Sequence, residues 1–289
     1  MYHEGIIIRP PSEANSILLQ VTTGCSHNRC TFCGVYRDIR FTIKDTATVQ
    51  KDLEYAALYC KEQENVFLCD GDALIMPQDK LLHLFDMIHT NLPWVTRIGT
   101  YANAKSLSRK SIDELKMLRE QGLRIIHLGL ESGDNTTLDR ICKWGTSEEI
   151  ICQCKKAQDA GINLFLTVLL GIAGHERSEV HAIKTGEALT EINPNYVGAL
   201  SFIPVDNTPL EHEIHSGVFS LLSPVELLKE LRRMLEHTNM TRGYFYANHA
   251  SNYLPLRIRF PREKQKALDT IDSALTGNIR LTPEWMRGL

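Results

Sequence analysis

The chain has no excess of positive charge. Lysine and arginine total 32 against 35 aspartates and glutamates, a net charge of −3. It therefore lacks the broad basic surface on which nucleic acid binding relies. Nor does it have a long apolar run. Its greasiest stretch, NLFLTVLLGIAG, is well short of the ~20 residues needed to span a bilayer, which argues against a membrane partner. The opening residues MYHEGIIIRPPSEANS place no sustained apolar segment ahead of a cleavage site, the pattern expected of a cytoplasmic protein. Eight cysteines in 289 residues are too sparse for a disulfide scaffold. Reduced thiols are expected, and clustered ones then point to metal or catalysis. No linker or low-complexity tract divides the chain.

What is present is a rhythm. Short apolar runs (SILLQVTT, NVFLCDG, VTRIGTYA, LRIIHLGLE, NLFLTVLLG, NYVGALSFI) alternate with helical segments at 46–63, 78–90, 108–120, 134–158 and 176–191. Thr146 with Glu149, and Ser223 with Glu226 ahead of a further helix, read as capping boxes. Gly122 and Gly161 sit where a helix hands over to a strand, and Pro194 stops another helix. Six βα repeats predict an α/β fold with a parallel sheet and right-handed crossovers. In the fifth run Leu164, Leu166, Val168 and Leu170 share one face, while Asn163, Phe165, Thr167, Leu169 and Gly171 share the other. In the fourth, His127, Gly129 and Glu131 alternate with Ile126, Leu128 and Leu130. A sheet with one polar or small-residue face favours a partial (β/α)6 TIM-like barrel over a flat sheet. The rhythm covers residues 1–203. Residues 204–289 hold a helix after Ser223, the run GYFYANHASNYLPLR and a helix after Pro261, and are expected to form an α-rich extension packed over the substrate side.

Three cysteines, Cys25, Cys30 and Cys33, follow the first strand in C-x4-C-x2-C spacing. Parallel α/β barrels place their chemistry at that strand end. Spacing leaves three metals open. Zinc would need a fourth ligand, and His27 is crowded in the same loop. A [2Fe–2S] centre could take Cys60 by count, although Cys60 continues the apolar stripe Leu53, Ala56, Ala57 and reads as core. A [4Fe–4S] cubane with three protein ligands would leave one iron open. Cys69, Cys142, Cys152 and Cys154 complete no site and read as buried or half-buried thiols.

Four motifs in order, over residues 17 to 203, resemble the radical S-adenosylmethionine (radical SAM) superfamily. Phe32 precedes Cys33 as in its cluster motif, with one extra residue between the first two cysteines. CDGDAL, with Asp70, Gly71 and Asp72, resembles the Gly/acid motif that faces the methionine amino group. GLESGDNTTLDRICKWGT resembles a segment of the elongator-, methylthiotransferase- and coproporphyrinogen-oxidase-like branch, which implies that Glu131 binds ribose hydroxyls and Lys143 the methionine carboxylate. VLLGIAGHE resembles the strand end along adenine, at Leu169 and Gly171. That branch's oxidases carry another cysteine two residues after the third. Here it is Val35, which argues against that particular activity.

The resemblance implies a [4Fe–4S] cluster on Cys25, Cys30 and Cys33, with S-adenosylmethionine chelated at the open iron. It also implies reductive cleavage of a sulfonium C–S bond and hydrogen abstraction from a small organic substrate. An electron donor of flavodoxin or ferredoxin type and anaerobic surroundings follow. An RNA-modifying enzyme is the second reading, against which stands the lack of an appended RNA-binding module. A [2Fe–2S] electron carrier is the third. In NHASNYLPLR, His249 and Tyr253 are either substrate-facing groups that handle a proton or hydrogen atom, or parts of a turn that satisfies its own backbone.

Overall fold

The computed structural model describes residues 1–288. The first apolar run is divided between β1 (Ile17–Leu19) and β2 (Thr22–Thr23), and β2 pairs antiparallel with β3 (Thr42–Ile43). There follow α1 (Thr46–Tyr59), β4 (Asn65–Leu68), α2 (Gln78–Asn91), β5 (Arg97–Ala102), α3 (Ala104–Ser108), α4 (Ile112–Glu120) and β6 (Leu123–Glu131). Next come α5 (Asn135–Arg140), α6 (Ser147–Asp159), β7 (Asn163–Leu170), α7 (Gly174–Ile192) and β8 (Tyr196–Ser201). The chain ends with α8 (Pro209–His215), α9 (Pro224–His237), β9 (Tyr244–Tyr246), β10 (Arg257–Arg259) and α10 (Lys264–Leu275). The main sheet has the order β1-β4-β5-β6-β7-β8-β9-β10. It is mostly parallel, as the six βα repeats require. The run after residue 243 adds two strands to it, β9 parallel to β8 and β10 antiparallel to β9.

Two compact units are present. The first comprises Met1–Asn28, Val35–Leu128 and Gln153–Leu164, the second Arg29–Gly34, Gly129–Cys152 and Phe165–Leu289. In the first, Ile17, Leu19, Val66, Phe67 and Ile98 of the strands are fully buried, as are Leu53, Leu81, Phe85 and Leu115 of the helices. Each such side chain contributes roughly 1.5–3 kcal/mol relative to exposure. In the second, Leu166, Val168 and Leu170 are buried while Phe165, Thr167 and Leu169 are half-buried, so β7 alternates as its sequence predicts. Helices α7 and α9 meet at Gly186, where a Cβ would stand 2.6 Å from the Met234 carbonyl oxygen.

One predicted helix starts late and another is broken, each for a local reason. The helix expected over 108–120 begins at Ile112, where Ser111 caps α4 reciprocally with Glu114, and Ser108 instead ends α3. Between α5 and α6, Cys142 and Gly145 take positive φ and Thr146 exchanges hydrogen bonds with Glu149. Such caps are each worth about 1 kcal/mol. Three thiols differ from expectation. Cys142 is exposed because it leaves the helix in a left-handed conformation. Cys152 is exposed on the outer face of α6, and Cys60 is only half-buried because α1 ends at Tyr59 and leaves it at the C-cap. Cys69 and Cys154 are buried, and burial pushes both thiols up to about 12. Among the described residues no helix is long and apolar enough to cross a membrane.

Candidate functional site

In the first unit the site grows from backbone geometry. Gly24 has φ +76, and a Cβ on it would press on the backbone of Ile39 to Phe41, so the chain turns sharply into Cys25. The turn after β4 meets it, with Gly71 N–H donating to the Gly24 carbonyl at 3.2 Å. A Cβ on Gly71 would lie 2.7 Å from Cβ of Cys25 and 2.9 Å from its Cα. Only glycine allows this approach. Asp70 and Gly71 are thereby packed beside the first cysteine of the cluster motif.

The two flanking carboxylates are both buried, Asp70 2% exposed and Asp72 0%. Asp70 sits in a left-handed conformation (φ +74), and its Oδ2 accepts from Gln20 Nε2 at 2.8 Å. Burial raises its carboxyl above the usual range. Asp72 Oδ2 accepts from Asn103 Nδ2 at 2.9 Å and from the Ser26 hydroxyl. Burial pushes Asp72 up to about 6 against those hydrogen bonds. Each acid keeps one oxygen, Oδ1, buried and without a hydrogen-bond partner. Buried acceptors are rarely left so. A cation within reach of either would lower its carboxyl and satisfy the orphan oxygen.

The second unit supplies the remaining candidates. Cys33 N–H donates to the Cys30 carbonyl at 3.3 Å. Thr31, between them, donates to the Ile141 carbonyl after α5 and accepts from Leu210 N–H in α8, so this half of the cysteine loop is anchored at two helices. Phe32 is half-buried. Glu131 ends β6 with φ +60 and pairs with Lys143 Nζ at 2.8 Å. Gly129 makes room for this pair, since a Cβ there would stand 1.9 Å from Glu131 Oε1. The two residues expected to bind ribose and carboxylate thus hold each other. Leu169 is half-buried and leads to Gly171, φ +80, where a Cβ would meet Leu227 at 2.9 Å.

Gly171 has a partner that the sequence reading missed. Its N–H donates to Glu230 Oε1 at 2.6 Å. Glu230 is fully buried on α9, also accepts from the Ser178 hydroxyl, and lies 3.6 Å from His181 Nε2. The available signal was an acid on the apolar stripe of Leu227, Leu231 and Met234. Ser26 and Asn103 were missed too; both belong to local turns whose partner lies far away in sequence.

The NHASN segment is stitched to the end of β8. Asn252 Oδ1 accepts from Ser201 N–H and hydroxyl, and its Nδ2 donates to the Ala199 carbonyl. His249 Nδ1 accepts from Ser251 N–H at 3.1 Å, so His249 serves its own turn. Tyr253 bonds Glu284 and Arg287 through its hydroxyl. It lines a cavity of about 160 Å³ together with Gly171, Phe202, Leu222 and Leu227.

Among the described residues no three His, Cys, Asp or Glu side chains are gathered as a single-metal site. A cubane asks something else, since each thiolate binds its own iron and the sulfurs need not meet at one ion. Comparison with known proteins then decides the family. Residues 19–184 match the model of the Radical SAM superfamily. The chain belongs to the radical SAM superfamily. It is thereby an enzyme of the radical SAM class, whose members bind a [4Fe–4S] cluster and S-adenosylmethionine. It is 22% identical over 128 residues to the heme chaperone HemW of Bacillus subtilis, covering 44% of this chain and 34% of that protein. It is 23% identical over 235 residues to an uncharacterized protein of Methanocaldococcus jannaschii, covering 76% of this chain and 71% of that one. Coproporphyrinogen III oxidase (HemN) from Escherichia coli, a radical SAM enzyme, shares the fold with a TM-score of 0.57 at 14% identity, over 80% of this chain and 55% of that one. The chain thus spans about a third of HemW and about half of HemN.

Proposed function

We propose that this radical SAM enzyme holds its cluster on Cys25, Cys30 and Cys33, binds S-adenosylmethionine beside it, and starts hydrogen abstraction on a small organic substrate. The observation that carries this reading is Gly71 packed on Cys25, with Asp70 and Asp72 buried on either side and each presenting an unpartnered oxygen. A carboxylate so placed suits the ammonium of a methionine moiety. When bound and reduced, the cluster supplies the electron that breaks a sulfonium C–S bond. The chain's own part is to bind and orient. Asp70, Gly71 and Asp72 would receive the amino group. Glu131 would turn to ribose hydroxyls and Lys143 to the carboxylate, each exchanging its present partner for the cofactor. Leu169 and Gly171 would lie along adenine, and Phe32 would cover the cluster loop.

Residues 204–289 form, in this reading, the extension that closes the substrate side. The cavity where Tyr253 meets Gly171 supports it. Tyr253 is accordingly a better candidate for substrate contact than His249. The electron donor is proposed to be a flavodoxin- or ferredoxin-type protein, and the acidic balance supports a small-molecule substrate over nucleic acid. The test is anaerobic reconstitution followed by iron and sulfide counting, electron paramagnetic resonance, and product analysis with S-adenosylmethionine and dithionite. Four irons per chain, a signal altered by the cofactor, and 5′-deoxyadenosine are expected. A two-iron or zinc centre would overturn the reading.

A further inference from the structure

One face of the second unit carries chemistry that cofactor binding does not use. Phe165 of β7, Tyr196 of β8, and Tyr244 and Tyr246 of β9 stand on one face of the sheet. Phe165 is in register with Tyr196, and Tyr196 with Tyr244. Their rings form a two-by-two array. Centroids are 6.1 Å apart for Phe165 and Tyr196, 6.4 Å for Phe165 and Tyr246, 6.3 Å for Tyr196 and Tyr244, and 6.0 Å for Tyr244 and Tyr246. The planes are within 24° of parallel in every pair, and within 2° for Phe165 and Tyr246. Gly198 of β8 makes the array possible, because a Cβ there would stand 2.8 Å from the Phe165 ring.

Beside the rings lies β10. Arg257 pairs in register with Tyr246 and Arg259 with Tyr244. The Arg257 guanidinium is 5.5 Å from the Tyr244 centroid and 5.7 Å from that of Tyr246; that of Arg259 is 5.9 Å from Tyr244. Among the described residues neither guanidinium has a carboxylate partner. Both arginines are exposed, and the four rings are half-buried. The opposite face of the same strands is different in kind, with Leu166, Val197, Phe245 and Ile258 fully buried. Cross-strand aromatic pairs and exposed cation–π contacts stabilise a sheet modestly. That explains why such residues are tolerated here. It does not explain two exposed guanidiniums that no carboxylate pairs beside four parallel rings; the Glu263 carboxylate accepts from the Arg259 backbone N–H at 2.8 Å instead.

We propose that this face is a binding site for a planar aromatic anion, its rings stacked on the tyrosines and its phosphate or carboxylate held by Arg257 and Arg259. Guanidinium groups match such anions in geometry as well as charge. The inference rests on the proposed small-molecule function and names its substrate class. Phe165 shares its strand face with Thr167 and Leu169, about 13 Å further along β7. The anionic aromatic end of the substrate is therefore remote from the carbon that reacts.

The test uses the anaerobically reconstituted full chain, with 1-naphthyl phosphate as probe and isothermal titration as readout. Saturable binding is expected, with no heat from inorganic phosphate and at least about tenfold weaker binding of neutral 1-naphthol, as one charge-assisted contact requires. Arg257→Gln with Arg259→Gln should weaken the probe by about tenfold or more, and Tyr244→Leu with Tyr246→Leu by a similar factor. The arginine pair is solvent-facing, so losing its cation–π contacts should lower the melting temperature of that variant by only a few degrees and keep the result readable. Affinity insensitive to both variant pairs, or equal affinity for 1-naphthol, overturns the proposal. An oligouridylate that displaces the probe at lower concentration also overturns it, in favour of an RNA platform. If the probe binds as expected but no 5′-deoxyadenosine forms, the site stands and the radical function fails. If 5′-deoxyadenosine forms but the probe does not bind, the reverse holds.

Discussion

Two acids, Asp72 in the first unit and Glu230 in the second, are equally hidden from solvent and differ in one respect. Asp72 is 0% exposed and Glu230 2%. Burial raises both carboxyls, to about 6 and about 7. Glu230 uses both oxygens, one on Gly171 N–H and one on the Ser178 hydroxyl. Asp72 crowds Ser26 and Asn103 onto Oδ2 and leaves Oδ1 empty-handed. A buried acid with both oxygens engaged is a clasp, and its hydrogen bonds serve the fold. A buried acid with an orphan oxygen is held at a cost of about 1–3 kcal/mol that a ligand can recover. The same contrast separates the unpaired Asp70 Oδ1 from Glu131, whose oxygen is already on Lys143.

The hardest blow to this comparison is Gly71→Ala. The added carbon would sit 2.7 Å from Cys25 Cβ, and backbone must move. Loss of most reconstituted iron is expected, with the far-ultraviolet circular dichroism spectrum unchanged; normal iron content would show that the approach of Gly71 to Cys25 is dispensable. Next is Asp72→Asn. Removing the charge that faces the ammonium should lower kcat/KM for cofactor cleavage by about a hundredfold, roughly 2.7 kcal/mol. Its melting temperature should hold or rise, since no buried charge remains. A variant that loses stability but binds S-adenosylmethionine normally would make Asp72 a clasp like Glu230.

Much of Asp72's setting was legible in the sequence, and almost none of Glu230's. Strand, tight turn and acid follow one another in NVFLCDGDAL, so local pattern places Asp70 and Asp72 at a strand end near the cysteine loop. The six βα strands were legible for a like reason, because short apolar runs and glycine stops act over a few residues, although the first run proved to be two strands. Glu230 contacts Gly171 across 59 residues of sequence, and no local signal encodes that distance. Strands β9 and β10 were hidden because each has three residues, too few for a period to show. Cys142 misled because a helical pattern runs through 134–158, while the chain breaks it with a left-handed residue at 142.

A moderate effect should come from Glu230→Ala, which strands the Gly171 N–H and opens a void. About 2–4 kcal/mol of stability should be lost in urea unfolding. Glu230→Gln keeps an acceptor for Gly171 and should lose much less. If the alanine variant were as stable as the parent, Glu230 would be no clasp, and its pairing with Gly171 would need another purpose.

The smallest effect separates the two acids by pH. An unfolded glutamate titrates near 4.5, whereas burial raises Glu230 to about 7. Between those values the folded chain binds the proton more tightly, so unfolding releases it and stability falls as pH rises through that window. His181 works the other way. Burial lowers it from 6.5 to about 4, so stability is gained as pH rises between those values. Asp72 has the sign of Glu230 but finishes titrating near 6. Above pH 6.5 the Asp72 effect has nearly run out, and the remaining gain from His181 is common to the parent and Glu230→Gln, so the difference between those two isolates Glu230. The parent should therefore lose roughly 1 kcal/mol there that Glu230→Gln does not, whereas Asp72→Asn should follow the parent. A Glu230→Gln curve parallel to the parent's would mean that the carboxylate is already ionised at pH 6.5, and that its two hydrogen bonds outweigh burial.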